Sequence, residues 1–372
     1  MFGQAAALEG PAAALGQDMR TGLLAAFAEA NSAGGVHGRK IELISRDDGY
    51  EPNKSIETVR RLIEDDKVFA LVGPVGTPTT VATQPIATEA GVPFIGPFTG
   101  AEFLRSRDKA NVINVRASYY QETEAMVERL TQDLRVKRIS ILYQDDAFGR
   151  AGLSGVLRAL EWRAMTLVSE ATFERNTTAI KRALLKIRAA GPEAVIMIGP
   201  YEPCAAFIKL ARQLRFDAVL VNISFVGSNA LAKALGKDGA GVVVTQVVPF
   251  PADTSLPIVK SYHAALRSID PALEPGFVSL EGYLVGRLVT AALAKVSGEP
   301  TRAALLAAIA DHTFDLGGFH LTYSGTDNQG SDAIYLTVIG ENGQFRAIRN
   351  LRGAMPSRGR LRAAAAALVR RP

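Results

Sequence analysis

The sequence predicts an α/β protein of two doubly wound, parallel-sheet lobes joined by a hinge. Three observations carry this expectation. Short β-rich runs alternate with longer segments of helical periodicity. Most of the β-rich runs are continuous apolar stretches, the pattern of parallel strands covered on both faces. The runs are also too many for one comfortable open sheet, and the pattern resets near 116–120, 249–253 and 324–329. Three resets suit a chain that passes between two lobes three times, and such crossings make a hinge.

The expected strands are, in order, Ile41–Ser45, Phe69–Val72, Pro93–Ile95, Asn111–Val115, Ile139–Tyr143, Leu167–Thr172, Ala194–Ile198, Ala218–Asn222, Val242–Val248 and Ile334–Ile339. The first expected helix, Gly16–Ala33, stops at Gly34-Gly35, where glycine ends a helix without strain. The next starts at Pro52-Asn53 and carries Ile56, Val59 and Ile63 at helical spacing. Further helices are expected over Pro78–Ala90, Tyr120–Leu134, Ala147–Trp162, Thr177–Ala190, Pro203–Leu214, Leu256–Ser268, Val278–Val296 and Arg302–Ala310.

Composition narrows the function. The 372 residues are 48% hydrophobic and 21% charged, a globular balance that excludes collagen, low-complexity disorder and a disulfide scaffold. No uncharged apolar run reaches the roughly 18 residues of a membrane span. The net charge is +5, but residues 352–372 hold six arginines and no acid, so the rest of the chain carries −1. A nearly neutral body offers no basic face for nucleic acid. Residues 351–372 read as a disordered basic tail. The single cysteine, Cys204, leaves no intramolecular disulfide, although large exported domains manage without one.

Ligands of open α/β sheets bind beyond the carboxyl ends of strands, which singles out two loops. In Gly73–Thr80, glycines allow close backbone approach, with Thr77 expected as helix N-cap and Pro78 as first helical residue. Free N–H groups and hydroxyls there suit a carboxylate, or serve only an ordinary capped helix start. In Gly96–Gly100, Thr99 and Gly100 offer polar and backbone contacts, and Phe98 is either an aromatic wall or core packing. Enzyme signatures are missing: no Gly-x-Gly-x-x-Gly, no phosphate-loop lysine after Gly73, no Gly-x-Ser-x-Gly. His37, His263, His312 and His320 lack metal-ligand spacing, so neither metal nor cofactor is expected. Asn176-Thr177-Thr178 reads as a helix N-cap.

An ordered series of segments resembles the leucine/isoleucine/valine-binding protein family, the type I periplasmic solute-binding proteins of ABC importers. The series comprises Gln4–Pro11 with Leu15-Gly16, Asn31–Gly38, Asp47–Tyr50, Leu71–Thr80, Gly91–Thr99, Tyr143–Gly149, Ile198–Tyr201, Asn222–Gly227 and Ser279–Tyr283. It runs from about residue 3 to 345. The resemblance implies two doubly wound lobes on a three-crossover hinge, the type I periplasmic binding protein fold. Lobe one would be 1–117 with 251–325, and lobe two 118–250 with 326–350. A first strand precedes the opening loop in that family, and here at most Phe2–Gln4 corresponds to it. Upstream residues, a longer strand and a signal peptide, are therefore expected to be missing.

The same resemblance implies a ligand held between the lobes. Thr77, Thr99 and nearby amides would hold its carboxylate, and Phe98, Phe148, Tyr201 and Phe225 would wall its apolar part. Leu15 in the opening loop, Tyr120 past the first crossing, and Ser279 are weaker candidates, Tyr120 serving equally well as hinge packing. Where amino-acid binders of the family often carry an acid for the ligand ammonium, this chain has Ser224 and Phe225. A buried ammonium needs a partner, so an aromatic or otherwise apolar carboxylate is favoured unless Glu202 or Glu281 faces the cleft. The implied role is a periplasmic receptor that hands a small carboxylate to the membrane subunits of an importer. If Met1 is the true start, a cytoplasmic ligand sensor of the same fold, of the amide-sensor type, is the alternative; an enzyme of Rossmann type is the least supported.

Overall fold

The computed structural model describes residues 1–106 and 108–352. From the N-terminus, β1 (Phe2–Ala6), α1 (Ala13–Ser32), β2 (Leu43–Asp47), α2 (Pro52–Glu64), β3 (Leu71–Val72), α3 (Thr77–Glu89), β4 (Phe94–Ile95) and β5 (Val112–Ile113) build a five-stranded parallel sheet. Its strand order is β2-β1-β3-β4-β5. The expected boundaries lie within a few residues of these. The start does not. Phe2–Ala6 is a full strand, wholly buried and paired residue for residue with Leu43–Asp47. The Gln4-Ala5-Ala6 run, read from sequence as loop, is strand because small residues fit between α1 and α2. Similarly, α1 begins at Ala13, so Leu15 is helical and not in the opening loop.

The chain then crosses to a second sheet through α4 (Tyr119–Leu134), β6 (Ile139–Gln144), α5 (Ala147–Glu161), β7 (Ser169–Phe173), α6 (Lys181–Ala189), β8 (Ala194–Ile198), α7 (Tyr201–Gln213), β9 (Val219–Asn222), α8 (Ser228–Leu235) and β10 (Val243–Gln246). It returns to pack α9 (Pro257–Ile269), α10 (Phe277–Lys295) and α11 (Arg302–Ile309) on the first lobe, followed by the hairpin β11 (Thr313–Asp315) and β12 (His320–Thr322). A last crossing delivers β13 (Tyr335–Ile339), antiparallel to β10, and β14 (Phe345–Ile348), antiparallel to β13, to the edge of the second sheet, whose order is β14-β13-β10-β9-β8-β6-β7. Sequence reading did not anticipate α8, β14 or the hairpin, whose strands are short and bury only alternate residues.

Local chemistry explains the helix starts that frame the cleft. Ser118 and Gln121 form a reciprocal capping box at α4. Asp146 caps α5 by accepting from the amides of Phe148 and Gly149. Asn176, expected as a cap, instead lies upstream of α6 and donates to Gly49 O and Glu51 across the lobes. Leu351, expected in the tail, is buried with its N–H on Asp133; the remainder of the expected tail, 353–372, lies outside the described residues.

Helices α1 and α10 pack backbone against backbone. A Cβ on Gly22 would stand 1.9 Å from Ser279 O, and one on Gly282 would stand 2.3 Å from Met19 O. Helix α10 is long and apolar enough to span a membrane, yet 78% of that window is buried inside the protein: it is a core helix. Gly22→Ala must therefore push two backbones apart. We expect it to cost about 1–3 kcal/mol or more, read as a lowered midpoint in urea denaturation.

Candidate functional site

The site forms where the carboxyl ends of β3 and β4 meet the second lobe. Gly76 adopts φ +103° with the Tyr50 ring against it; a Cβ there would lie 2.2 Å from Tyr50 Cε2. Gly76, not Thr77, is the residue before α3, so Thr77 and Pro78 are its first two helical residues. Freed from capping, the Thr77 hydroxyl meets Thr99 Oγ1 at 2.7 Å. Thr79 does the local work instead, donating to the carbonyls of Val75 and Gly76. Gly100 has no room for a side chain, because Tyr119 fills that space and its N–H donates to Gly100 O at 2.6 Å.

Aromatic rings from both lobes meet beside this hydroxyl pair. Phe98 stacks on Phe225 at 5.1 Å, and Phe148 lies 4.6 Å from Phe225 between ring centres. Tyr50 lies 6.0 Å from Phe225, and Tyr119 lies 5.5 Å from Phe148. All five are buried. Such contacts add roughly 0.5–1.5 kcal/mol per pair beyond area burial.

A charged network backs the rings. The Arg116 guanidinium, fully buried in the first crossing, lies 5.1 Å above Phe98. Its Nη2 donates to Glu122 Oε1 at 3.0 Å and to Ser224 Oγ. Glu122 also accepts from the Ser224 amide and hydroxyl and from Thr245. Arg116 Nη1 stands 3.5 Å from Glu281. Burial works against the arginine's charge, but Glu281 and Glu122 outweigh it and raise its pKa. Burial pushes the Glu281 carboxyl up to about 7, with Arg116 opposing.

The structure thus brings Thr77, Pro78, Phe98, Thr99, Gly100, Phe148, Ser224, Phe225 and Glu281 into one region. Ser224, however, is held by Glu122 and Arg116. Tyr120 does not join them. It turns away under Arg158 at 5.2 Å, into a hinge-side cavity of about 430 Å³, and its neighbour Tyr119 takes the inward position. Leu15 and Tyr201 meet at another part of the lobe boundary. A Cβ on Gly227 would come within 2.5 Å of Leu15 Cδ2 and 3.5 Å of Tyr201 Cδ1. Tyr201 there accepts the Ala14 N–H. Ser279 is spent inside the first lobe, at 2.6 Å from the Tyr262 hydroxyl.

Arg116, Tyr119, Glu122 and Tyr50 were missed in sequence reading. One signal existed: Arg116 directly follows an apolar strand, where a charge demands a buried partner. Further links cross the cleft. Arg175 reaches Glu51 at 2.8 Å and Asp146 at 3.1 Å, and Gln144 donates to the Tyr50 hydroxyl at 3.3 Å.

Residues from both sheets thus build this one site. Residues 2–344 match the model of the periplasmic binding protein family. The chain belongs to that family, which is made of substrate-binding proteins and not enzymes. A possible leucine/isoleucine/valine-binding protein from Rhodopirellula baltica SH 1 superposes with TM-score 0.89 at 38% identity, over 95% of this chain and 97% of that one. A substrate-binding periplasmic protein from Ralstonia solanacearum gives TM-score 0.88 at 28% identity, over 93% and 99%. The Leu/Ile/Val-binding protein BraC3 of Rhizobium johnstonii is 29% identical over 252 residues, which cover 64% of this chain and 65% of that protein.

Two stability predictions follow from the network. Glu122→Ala takes one of two carboxylates from a buried guanidinium and the acceptor from Ser224 and Thr245, and should cost about 3–5 kcal/mol in chemical denaturation. A raised carboxyl pKa stabilises the fold at low pH. The Glu281 contribution should therefore be lost as pH rises from the ordinary carboxyl value of 4.5 through about 7. Glu281→Gln should flatten that part of the melting-temperature profile.

Proposed function

We propose that this chain is a periplasmic solute receptor of an ABC importer, capturing a small amino-acid-like or aromatic carboxylate between its lobes. The observation that carries this reading is the Thr77–Thr99 hydroxyl pair, set beside an aromatic cluster that both lobes share. The hydroxyls and the Tyr119 phenol suit a carboxylate, and Phe98, Phe148 and Phe225 suit an apolar body. Branched-chain solutes are supported by relatives named for leucine, isoleucine and valine. The ring-lined wall supports aromatic ones.

Capture works by population shift. The named groups are buried in this closed arrangement, so solute must exchange through an opened state. Closure then reflects its greater affinity for the closed one. The moving bodies in this proposal are 1–117 with 251–325 and 118–250 with 326–350. The closed form would be what the importer's membrane subunits recognise.

A thermal-shift screen of aliphatic amino acids, aromatic amino acids, aromatic carboxylates and short amides tests the reading. A ligand at about 1,000 times its Kd adds roughly 4 kcal/mol, a shift of several degrees. Thr77→Ala should weaken the best responder by about 1–3 kcal/mol in titration calorimetry. Unchanged affinity would remove Thr77 from the site.

A further inference from the structure

We infer that solute capture is proton-linked: Glu281 takes up one proton as a carboxylate solute without an ammonium group settles against Arg116. This rests on the receptor reading above and assigns the chemical class of its solute. The argument begins with how the two acids differ. Glu122 is saturated, accepting from Arg116 Nη2, the Ser224 amide, the Ser224 hydroxyl and Thr245. Glu281, equally buried, accepts no hydrogen bond among the described residues, and its nearest cationic atom is Arg116 Nη1 at 3.5 Å.

The open capacity of the site lies with donors. Arg116 Nε and Nη1 are buried without hydrogen-bond partners, and the Tyr119 hydroxyl faces the Thr77–Thr99 pair. Buried donors left unpaired are costly, and a carboxylate supplies the acceptors. An ammonium would bring more donors to a region that already has donors to spare.

Charge then demands a proton. The groups facing Glu281 are Arg116 from the first crossing, Glu122 from α4 and Arg105 from the turn at Glu102–Arg105. Arg105 is committed to Gln329 and the carbonyls of Ala101 and Arg116. Helix α1 meets α10 beside Glu281 through the neutral Met19 and Gly22 and farther along through Glu29, which is held by Tyr283 and Arg287; Asp18 of α1 acts on Tyr201 and Tyr262, and α9 presents Tyr262 to Ser279. One guanidinium therefore already faces two carboxylates. A third carboxylate is accommodated when water delivers a proton to a Glu281 carboxyl oxygen, which turns an acceptor into a donor. The buffer acid is the source: its O–H or N–H bond breaks as the Glu281 O–H bond forms, and its conjugate base stays in solution. Burial, which has already brought this carboxyl to about 7, makes the uptake small in cost near neutral pH.

Titration calorimetry of the whole chain in phosphate and in Tris, at pH 7 and pH 8, reads the proton directly. The probes are two pairs that differ by the ammonium: leucine with 4-methyl-2-oxopentanoate, and phenylalanine with phenylpyruvate. We expect an oxo acid to bind with uptake of roughly half a proton at pH 7, rising toward one at pH 8. In Glu281→Gln the heat of binding should no longer depend on the buffer. An oxo acid that binds the wild-type protein without uptake overturns the inference, and so do amino acids that bind while oxo acids do not. The receptor reading survives both results. Binding of none of the four, by a protein with a cooperative melt, removes the receptor reading for this solute class and the inference with it.

Discussion

Arg116 keeps its charge while almost fully buried, and a guanidinium persists there only when carboxylates stand against it. Those carboxylates come from far apart in the chain: Glu122 from the start of α4, Glu281 from the second turn of α10. Ser224 and Thr245, from the turns and strands of the second sheet, complete the hydrogen bonding of Glu122. The network therefore holds only when the first crossing, both lobes and the core helix are all in register. Burying it costs desolvation, and its geometry repays that cost only in one arrangement of the lobes.

The crossings are organised around the same region. Asn114, two residues before Arg116, exchanges backbone hydrogen bonds with the third crossing, accepting from Gly330 and donating to Asn328. Arg105 staples both crossings by reaching the Arg116 carbonyl and Gln329. Ser118 then caps α4, which fixes where Tyr119 and Glu122 point. Helix α10 is pinned on its other side by glycine contacts with α1, so Glu281 cannot retreat from Arg116 without disturbing the first lobe's core.

Much of the α/β pattern was legible because buried parallel strands are apolar along their whole length. Ala194–Ile198 is such a run, and its boundaries were read correctly. Phe2–Ala6 was not, because Gly, Gln and Ala carry no strand signal. Its strand state comes from pairing with Leu43–Asp47, a long-range contact. The Tyr119–Tyr120 step shows the same limit at the site. Two adjacent tyrosines at a helix start differ by about 100° in direction, and only packing against Phe148 and Arg158 decides which one faces inward.

The sequence by itself determined the alternation of strands and helices, the three crossings and the two glycine-bearing loops that present Thr77, Phe98 and Thr99. These are local properties: apolar run length, turn residues, and side chains placed at strand ends. Only the tertiary structure decided that Phe225 meets Phe98, that Glu122 stands behind Ser224, and that Glu281 and Arg116 face each other. Those pairings join residues up to 165 positions apart. No local pattern encodes which charge will be stripped of water, because desolvation is a property of the assembled interior.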